Sequence, residues 1–149
     1  MSRNTIQAAE QQSRDKFREV VGKQPKGIWL ILTTVGLLMI VAGTVMPIFQ
    51  GMDTPYHLLP KWFGYIYAAG AILLLVSKIC SPYTGSAIRV KRLYRIETWS
   101  AIFFLVGAAF IWIEPDITRN WLAFTLAGGA IQIYTSIMIP IAIKKALRD

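Results

Sequence analysis

Long apolar runs separated by short polar segments dominate the chain. Four of them span residues 28–49, 62–80, 96–113 and 121–143. At about 1.5 Å of rise per residue, each crosses, or nearly crosses, a hydrocarbon core of roughly 30 Å. The pattern predicts an all-α polytopic integral membrane protein with four transmembrane helices in one bundle, occupying residues 28–149. The third run is the shortest, and its first residues are expected in the headgroup layer. The first run is read as a permanent span. It comes after 27 mostly polar residues and is about 22 residues long, whereas a secretory signal has an apolar core of about 7–15 residues and a small-x-small site after it.

Between the runs, residues 1–27 form a weakly amphipathic cytoplasmic segment in which Ile6, Ala9, Phe17, Val20 and Val21 cluster loosely, closed by Gly22 and Pro25. In the basic loop 81–95, Pro82 and Gly85 break the chain and Ser86 is placed to cap a new helix. Nothing helix-breaking occurs from there to Gly107, so the third helix is expected to start near Ala87, ahead of its apolar run. On that extension Arg89, Lys91, Arg92 and Arg95 form a collar suited to anionic phospholipid headgroups or an acidic partner surface.

Within the runs, the small and weakly polar residues predict which sides meet. Apolar side chains gain little by leaving lipid for one another, so helices in a bilayer associate by close backbone approach and interhelical hydrogen bonds. At about 100° per residue, the first run gathers Thr33, Gly36, Ile40, Gly43, Thr44 and Pro47 along one side. The second gathers Gly64, Ala68 and Ala71, and the third Ser100, Gly107, Ala108 and Ile111. In the fourth, Thr125, Gly129, Gln132 and Ser136 share a sector. Gln132 falls near the midpoint of its run, where an unpaired amide costs several kcal/mol. It is expected to face a neighbouring helix or, alternatively, a weakly polar ligand site with Tyr67 and Tyr134.

The second and fourth runs also resemble each other. KWFGYIYAAGAILLLVSKI, from Lys61, and NWLAFTLAGGAIQIYTSIM, from Asn120, share six identities in nineteen positions without a gap, at an offset of 59. This points to two tandem hairpins related as a parallel repeat.

Composition changes this picture little and charge changes it more. Apolar residues make up 54% of the chain and the mean hydropathy is +0.46, both high for a soluble domain. Fourteen of the 16 Lys and Arg residues fall on the side of the two termini. The positive-inside rule therefore puts both termini in the cytoplasm, in what is expected to be a bacterial cytoplasmic (inner) membrane. The basic pI near 9.9 reports this topology and not nucleic-acid binding. Trp29, Trp62, Trp99 and Trp121 stand at run ends, as interfacial rings do.

Candidate chemistry is sparse. No charged residue occupies the centre of any run, whereas proton- or ion-coupled transporters keep one there; Glu97 counts among the cytoplasmic charges. Asp53, His57, Glu114 and Asp116 lie in the outer loops at no metal-ligand spacing, Cys80 has no partner for a disulfide, and no cofactor is implied. The expected function is a small non-enzymatic scaffold or accessory subunit, alone as a homo-oligomer or with a membrane-protein partner. A small transporter or permeation protein with its site around Gln132 is the alternative, and a lipid-directed membrane enzyme the third.

Overall fold

A computed structural model describes residues 2–22, 27–49, 61–113 and 120–149, and among these every regular element is helical. In chain order they are α1 (Arg3–Val21), α2 (Gly27–Phe49), α3 (Trp62–Cys80), α4 (Ile88–Ile113) and α5 (Asn120–Arg148). The last four are long and apolar enough to cross a membrane. They pack in sequence order: α2 lies along α3, α3 against α4, α4 along α5, and α1 touches α5.

The helices that meet do so through a repeat of alternating three- and four-residue steps. On α2 the inward positions are Trp29, Thr33, Gly36, Ile40, Gly43 and Pro47; on α3 they are Phe63, Tyr67, Gly70, Leu74 and Ser77. Val90, Leu93, Glu97, Ser100, Phe104 and Gly107 continue the pattern on α4. An average step of 3.5 keeps the same side facing a neighbour only if the helices wind left-handedly about each other. Ile, Leu, Val and Trp are frequent among the outward positions, as lipid contact favours.

Glycine sets the closeness of the first hairpin. A Cβ on Gly70 would lie 2.8 Å from the Gly36 carbonyl oxygen and 3.0 Å from the Ile40 nitrogen, and one on Gly36 would lie 3.0 Å from the Gly70 oxygen. The two backbones touch here, and any side chain would separate them.

The face expected of the fourth helix needs correction. Its inward positions are Trp121, Thr125, Gly128, Gln132, Thr135, Ile139 and Ala142. The real face is thus rotated by about 50° from the sector through Gly129 and Ser136. Gly128, not Gly129, is the packing glycine: a Cβ there would meet the Phe104 ring at 3.1 Å and the Ser100 carbonyl oxygen at 3.2 Å, whereas one on Gly129 would meet nothing within 4 Å. Ser136 is exposed and its hydroxyl turns back on the Gln132 carbonyl of its own helix, at 2.7 Å. The bulk at the start of α5 decides this. The Trp121 ring wedges edge-on against Tyr67, with centroids 6.1 Å apart, and every inward residue after it comes at heptad spacing.

The same rotation corrects the register of the internal similarity. At an offset of 59, buried Gly70 is matched with open Gly129, buried Ser77 with exposed Ser136, and exposed Trp62 with buried Trp121. Shortening the offset by one residue brings the inward faces together: Phe63 with Trp121, Tyr67 with Thr125, Gly70 with Gly128, Ser77 with Thr135. One residue is about 100° of helix, so identities aligned without regard to facing fell on different sides.

α4 begins at Ile88, close to where the sequence places it, but Ser86 does not cap it. The Ser86 amide and hydroxyl both donate to the Glu19 carbonyl, at 3.0 and 3.3 Å, and the Tyr83 hydroxyl donates to the Val20 carbonyl. Loop 81–87 therefore caps the C-terminus of α1, whose last carbonyls have no intrahelical donors. Burial pushes the Tyr83 phenol above its usual pKa. Gly22, at φ 71°, ends α1 in the left-handed region. A Cβ there would also fall 2.5 Å from the Gly85 nitrogen.

Candidate functional site

Polar side chains from all four long helices gather near the end of the molecule where α3 terminates. On α3, Ser77 and Lys78 occupy the last turn. The Ser77 hydroxyl donates to the Trp29 carbonyl of α2 at 2.8 Å and lies 2.6 Å from the Thr33 hydroxyl. The Thr33 hydroxyl donates to the same carbonyl, at 2.9 Å, so the two hydroxyls converge on one acceptor of α2.

One residue on, Lys78 Nζ donates to Glu97 Oε1 of α4 at 2.6 Å. Gln132 Nε2 of α5 donates to the same carboxylate oxygen at 3.1 Å, and the Gln132 carbonyl accepts from Ser100 Oγ at 2.8 Å. Ser100 Oγ also reaches the Glu97 carbonyl, at 2.7 Å, so its single proton is shared. Together the two groups of contacts join α2 to α3, α3 to α4 and α4 to α5.

Glu97 is the residue whose burial sequence reasoning missed. Counted there with the cytoplasmic charges, it is only 7% exposed and points into the helix packing. It sits in the heptad series with Leu93 and Ser100, and that spacing is the signal that would have found it. Taking both charges out of water is costly, and their attraction offsets this only when the geometry is good and the remaining valences are satisfied. The amide of Gln132 supplies part of that satisfaction. Gln132 itself lies nearer the Cys80 end of α3 than the midpoint of its apolar run implied, because α5 is 29 residues long and continues well past the end of α3.

A second polar contact is buried deeper. Tyr67 is fully buried, with its hydroxyl 2.6 Å from Thr125 Oγ1. Thr125 donates to the Trp121 carbonyl at 2.8 Å, which leaves Tyr67 as the donor between the two side chains. The phenol ring fits because two neighbours lack side chains: a Cβ on Gly43 would lie 2.8 Å from Tyr67 Cβ, and one on Gly107 2.9 Å from its hydroxyl. Tyr67→Phe is expected to cost about 0.5–1.5 kcal/mol, since Thr125 keeps its own acceptor. Thermal unfolding in mild detergent, with intrinsic fluorescence as the readout, measures this; a loss above about 3 kcal/mol would mean that the hydroxyl does more than close one hydrogen bond.

The other candidates are not brought together. Tyr134 and Ser136 face outward, away from Tyr67 and Gln132, and Gly129 borders open space. Arg89, Lys91, Arg92 and Arg95 are all exposed on the first turns of α4. Asp53, His57, Glu114 and Asp116 lie outside the described residues. Among the described residues, no group of three His, Cys, Asp or Glu side chains is close enough to hold a metal ion. Comparison with protein-family models, curated proteins and solved structures finds no match for this chain.

Proposed function

We propose that this is a non-enzymatic integral membrane protein, a scaffold or accessory subunit. Its two helical hairpins form one four-helix bundle in a bacterial cytoplasmic membrane, with both termini on the cytoplasmic side. The observation that carries the reading is that the interior polar groups are spent on one another. Thr33 meets Ser77, Tyr67 meets Thr125, and Lys78, Glu97, Gln132 and Ser100 form one network. Among the described residues, no buried side-chain nitrogen or oxygen lacks a hydrogen-bond partner. A substrate would have to displace these partners, whereas a scaffold needs them in place to fix the facing and register of its helices. The similar facing of α3 and α5 one residue from the identity-based register supports two similarly packed hairpins. The basic excess at the termini and in loop 81–95 supports the cytoplasmic placement.

A second reading, a small transporter, is favoured by one observation: a carboxylate 7% exposed within a helix long enough to span the bilayer, the kind of residue that marks ion or proton pathways. One variant separates the two. Gln132→Leu removes a donor to Glu97 and the acceptor of Ser100. A scaffold bearing it should keep its stoichiometric companion, or its self-association, in gentle detergent, with no change in ion or solute leak from liposomes. A flux present in the native protein and reduced tenfold or more in the variant would replace the scaffold reading with transport.

A further inference from the structure

We propose that α1 is an interfacial anchor that lies on an anionic phospholipid surface, held there by the loop between α3 and α4. The proposal rests on the bilayer placement of the four long helices, and it adds a partner for a segment that they do not use.

Three observations converge on it. First, the hydrogen bonds that hold α1 lie at its C-terminal end, while it also touches α5. Its last carbonyls, Glu19 and Val20, accept from Ser86 and Tyr83, and the Tyr83 ring is itself stacked on Tyr94 of α4, with centroids 5.1 Å apart. Since α3 ends at Cys80, this latch sits within a few residues of a membrane-crossing helix end, at the depth of the headgroups.

Second, the side of α1 that docks at the latch continues as an apolar stripe. Ile6, Ala9, Ser13, Phe17 and Val20 succeed one another at three- and four-residue spacing, the repeat of one helix face. Of these only Val20 is buried, at 7% exposed; Phe17 is 46% exposed and Ile6 47%. α1 therefore does not cover the end of the four long helices, and its stripe is left without a partner on the side that faces the bundle. Phe17 lies one turn from the latch, so it is held near headgroup depth whichever way the rest of α1 runs.

Third, the charges are arranged for an anionic surface. At about 100° per residue, Lys16 borders the stripe on one side and Arg3 and Arg14 on the other, while Arg18 and Glu19 lie farther round the helix and Asp15 stands opposite. Glu10, the one acid near the stripe, is four residues before Arg14, where the two can pair. A helix with an aromatic and an aliphatic residue on one face and basic residues along its borders is the pattern of a segment that lies in the plane of an interface. Arg92 and Arg95 of α4, close in sequence to the latch residue Tyr94, are exposed as well. A second copy of the chain would bring an equally basic stripe against this one, and like charges would oppose it.

The test uses the full chain in lipid nanodiscs loaded with one copy each, so that both faces are reachable and the outcome does not depend on which way the protein is inserted. Trypsin cleavage after Arg14, Lys16 and Arg18 is timed by mass spectrometry in discs of phosphatidylcholine alone and in discs with about a third phosphatidylglycerol. Each basic side chain brought to an anionic surface is worth about fivefold, so cleavage should slow at least tenfold in the anionic discs. The double variant Ile6→Ser/Phe17→Ser, which changes two exposed side chains, should abolish most of that protection. Equal rates in the two lipids would overturn the proposal, as would anionic protection that the double variant leaves intact. Protection that tracks the number of copies per disc, and not the lipid, would overturn it in favour of self-association. None of these outcomes bears on whether the four long helices act as a scaffold.

Discussion

Lys78→Met lowers the stability of the folded protein by about 3–5 kcal/mol, the cost of leaving a buried charge without its partner. Lys78 Nζ is 2.6 Å from Glu97 Oε1, and the Gln132 amide alone does not balance the carboxylate in a setting from which water is largely excluded. The informative comparison is the double variant Lys78→Met/Glu97→Leu. Two apolar side chains of similar bulk remove both desolvation costs together but leave Gln132 Nε2 without its acceptor, so the double variant should recover to within about 1–3 kcal/mol of the native protein. Equilibrium unfolding in mixed micelles, read by far-ultraviolet circular dichroism, measures all three proteins. Equal destabilisation of the single and double variants would show that the pair is not the source of the effect. The double variant also sharpens the functional question: a folded scaffold without Glu97 should still hold its companion, while a carboxylate-coupled transporter should be inactive.

Gly70→Ala and Gly129→Ala are expected to differ by about 1–3 kcal/mol, although both replace a glycine within a transmembrane helix by the smallest chiral residue. At Gly70 the new methyl lies 2.8 Å from the Gly36 carbonyl oxygen and from Met39 Cβ, and 3.0 Å from the Ile40 nitrogen. Two of these are backbone atoms of α2 that cannot turn aside, so α2 and α3 must separate along the hairpin; overpacking of this kind costs about 1–3 kcal/mol. At Gly129 the methyl meets nothing within 4 Å, and the change should be neutral or slightly stabilising, since glycine is the poorer helix former. A matching pair of disulfide-trapping or energy-transfer probes on the outer ends of α2 and α3 would show the separation directly in Gly70→Ala and its absence in Gly129→Ala. Destabilisation by Gly129→Ala of the same size would mean that its face is covered in the membrane, by a second copy or another protein.

These two pairs of residues also mark how far the sequence could be read. The hydropathy runs fixed the four long helices to within a few residues at most ends, and the absence of helix breakers after Ser86 fixed the early start of α4. The stripes of α2 and α4 were legible too, because Gly36, Gly43, Ser100 and Gly107 stand out against otherwise bulky surroundings. The face of α5 was not. With two adjacent glycines, two threonines, a serine and an amide spread around its circumference, small and polar residues alone define more than one stripe. The choice between them rests on where the Trp121 ring wedges and where the Phe104 ring lands on Gly128. Glu97 was hidden for a related reason: a charged residue near the end of an apolar run reads as solvated unless the residue opposite it is known, and that residue, Lys78, belongs to another helix.

What the sequence determined by itself is what depends on position along one chain: how many long apolar runs there are, roughly where each lies, and which segments carry the basic residues. Length and charge are sums over neighbours in sequence, and no fold is needed to take them. The tertiary structure alone decided which side of each helix looks inward, which of two adjacent glycines admits a neighbouring ring, and that Lys78, Glu97 and Gln132 meet. The physical reason is that nearly every side of these helices is apolar, so hydrophobicity cannot choose among them. Facing is then set by the shapes and hydrogen-bonding groups that other helices present, and those come together only when the chain is packed.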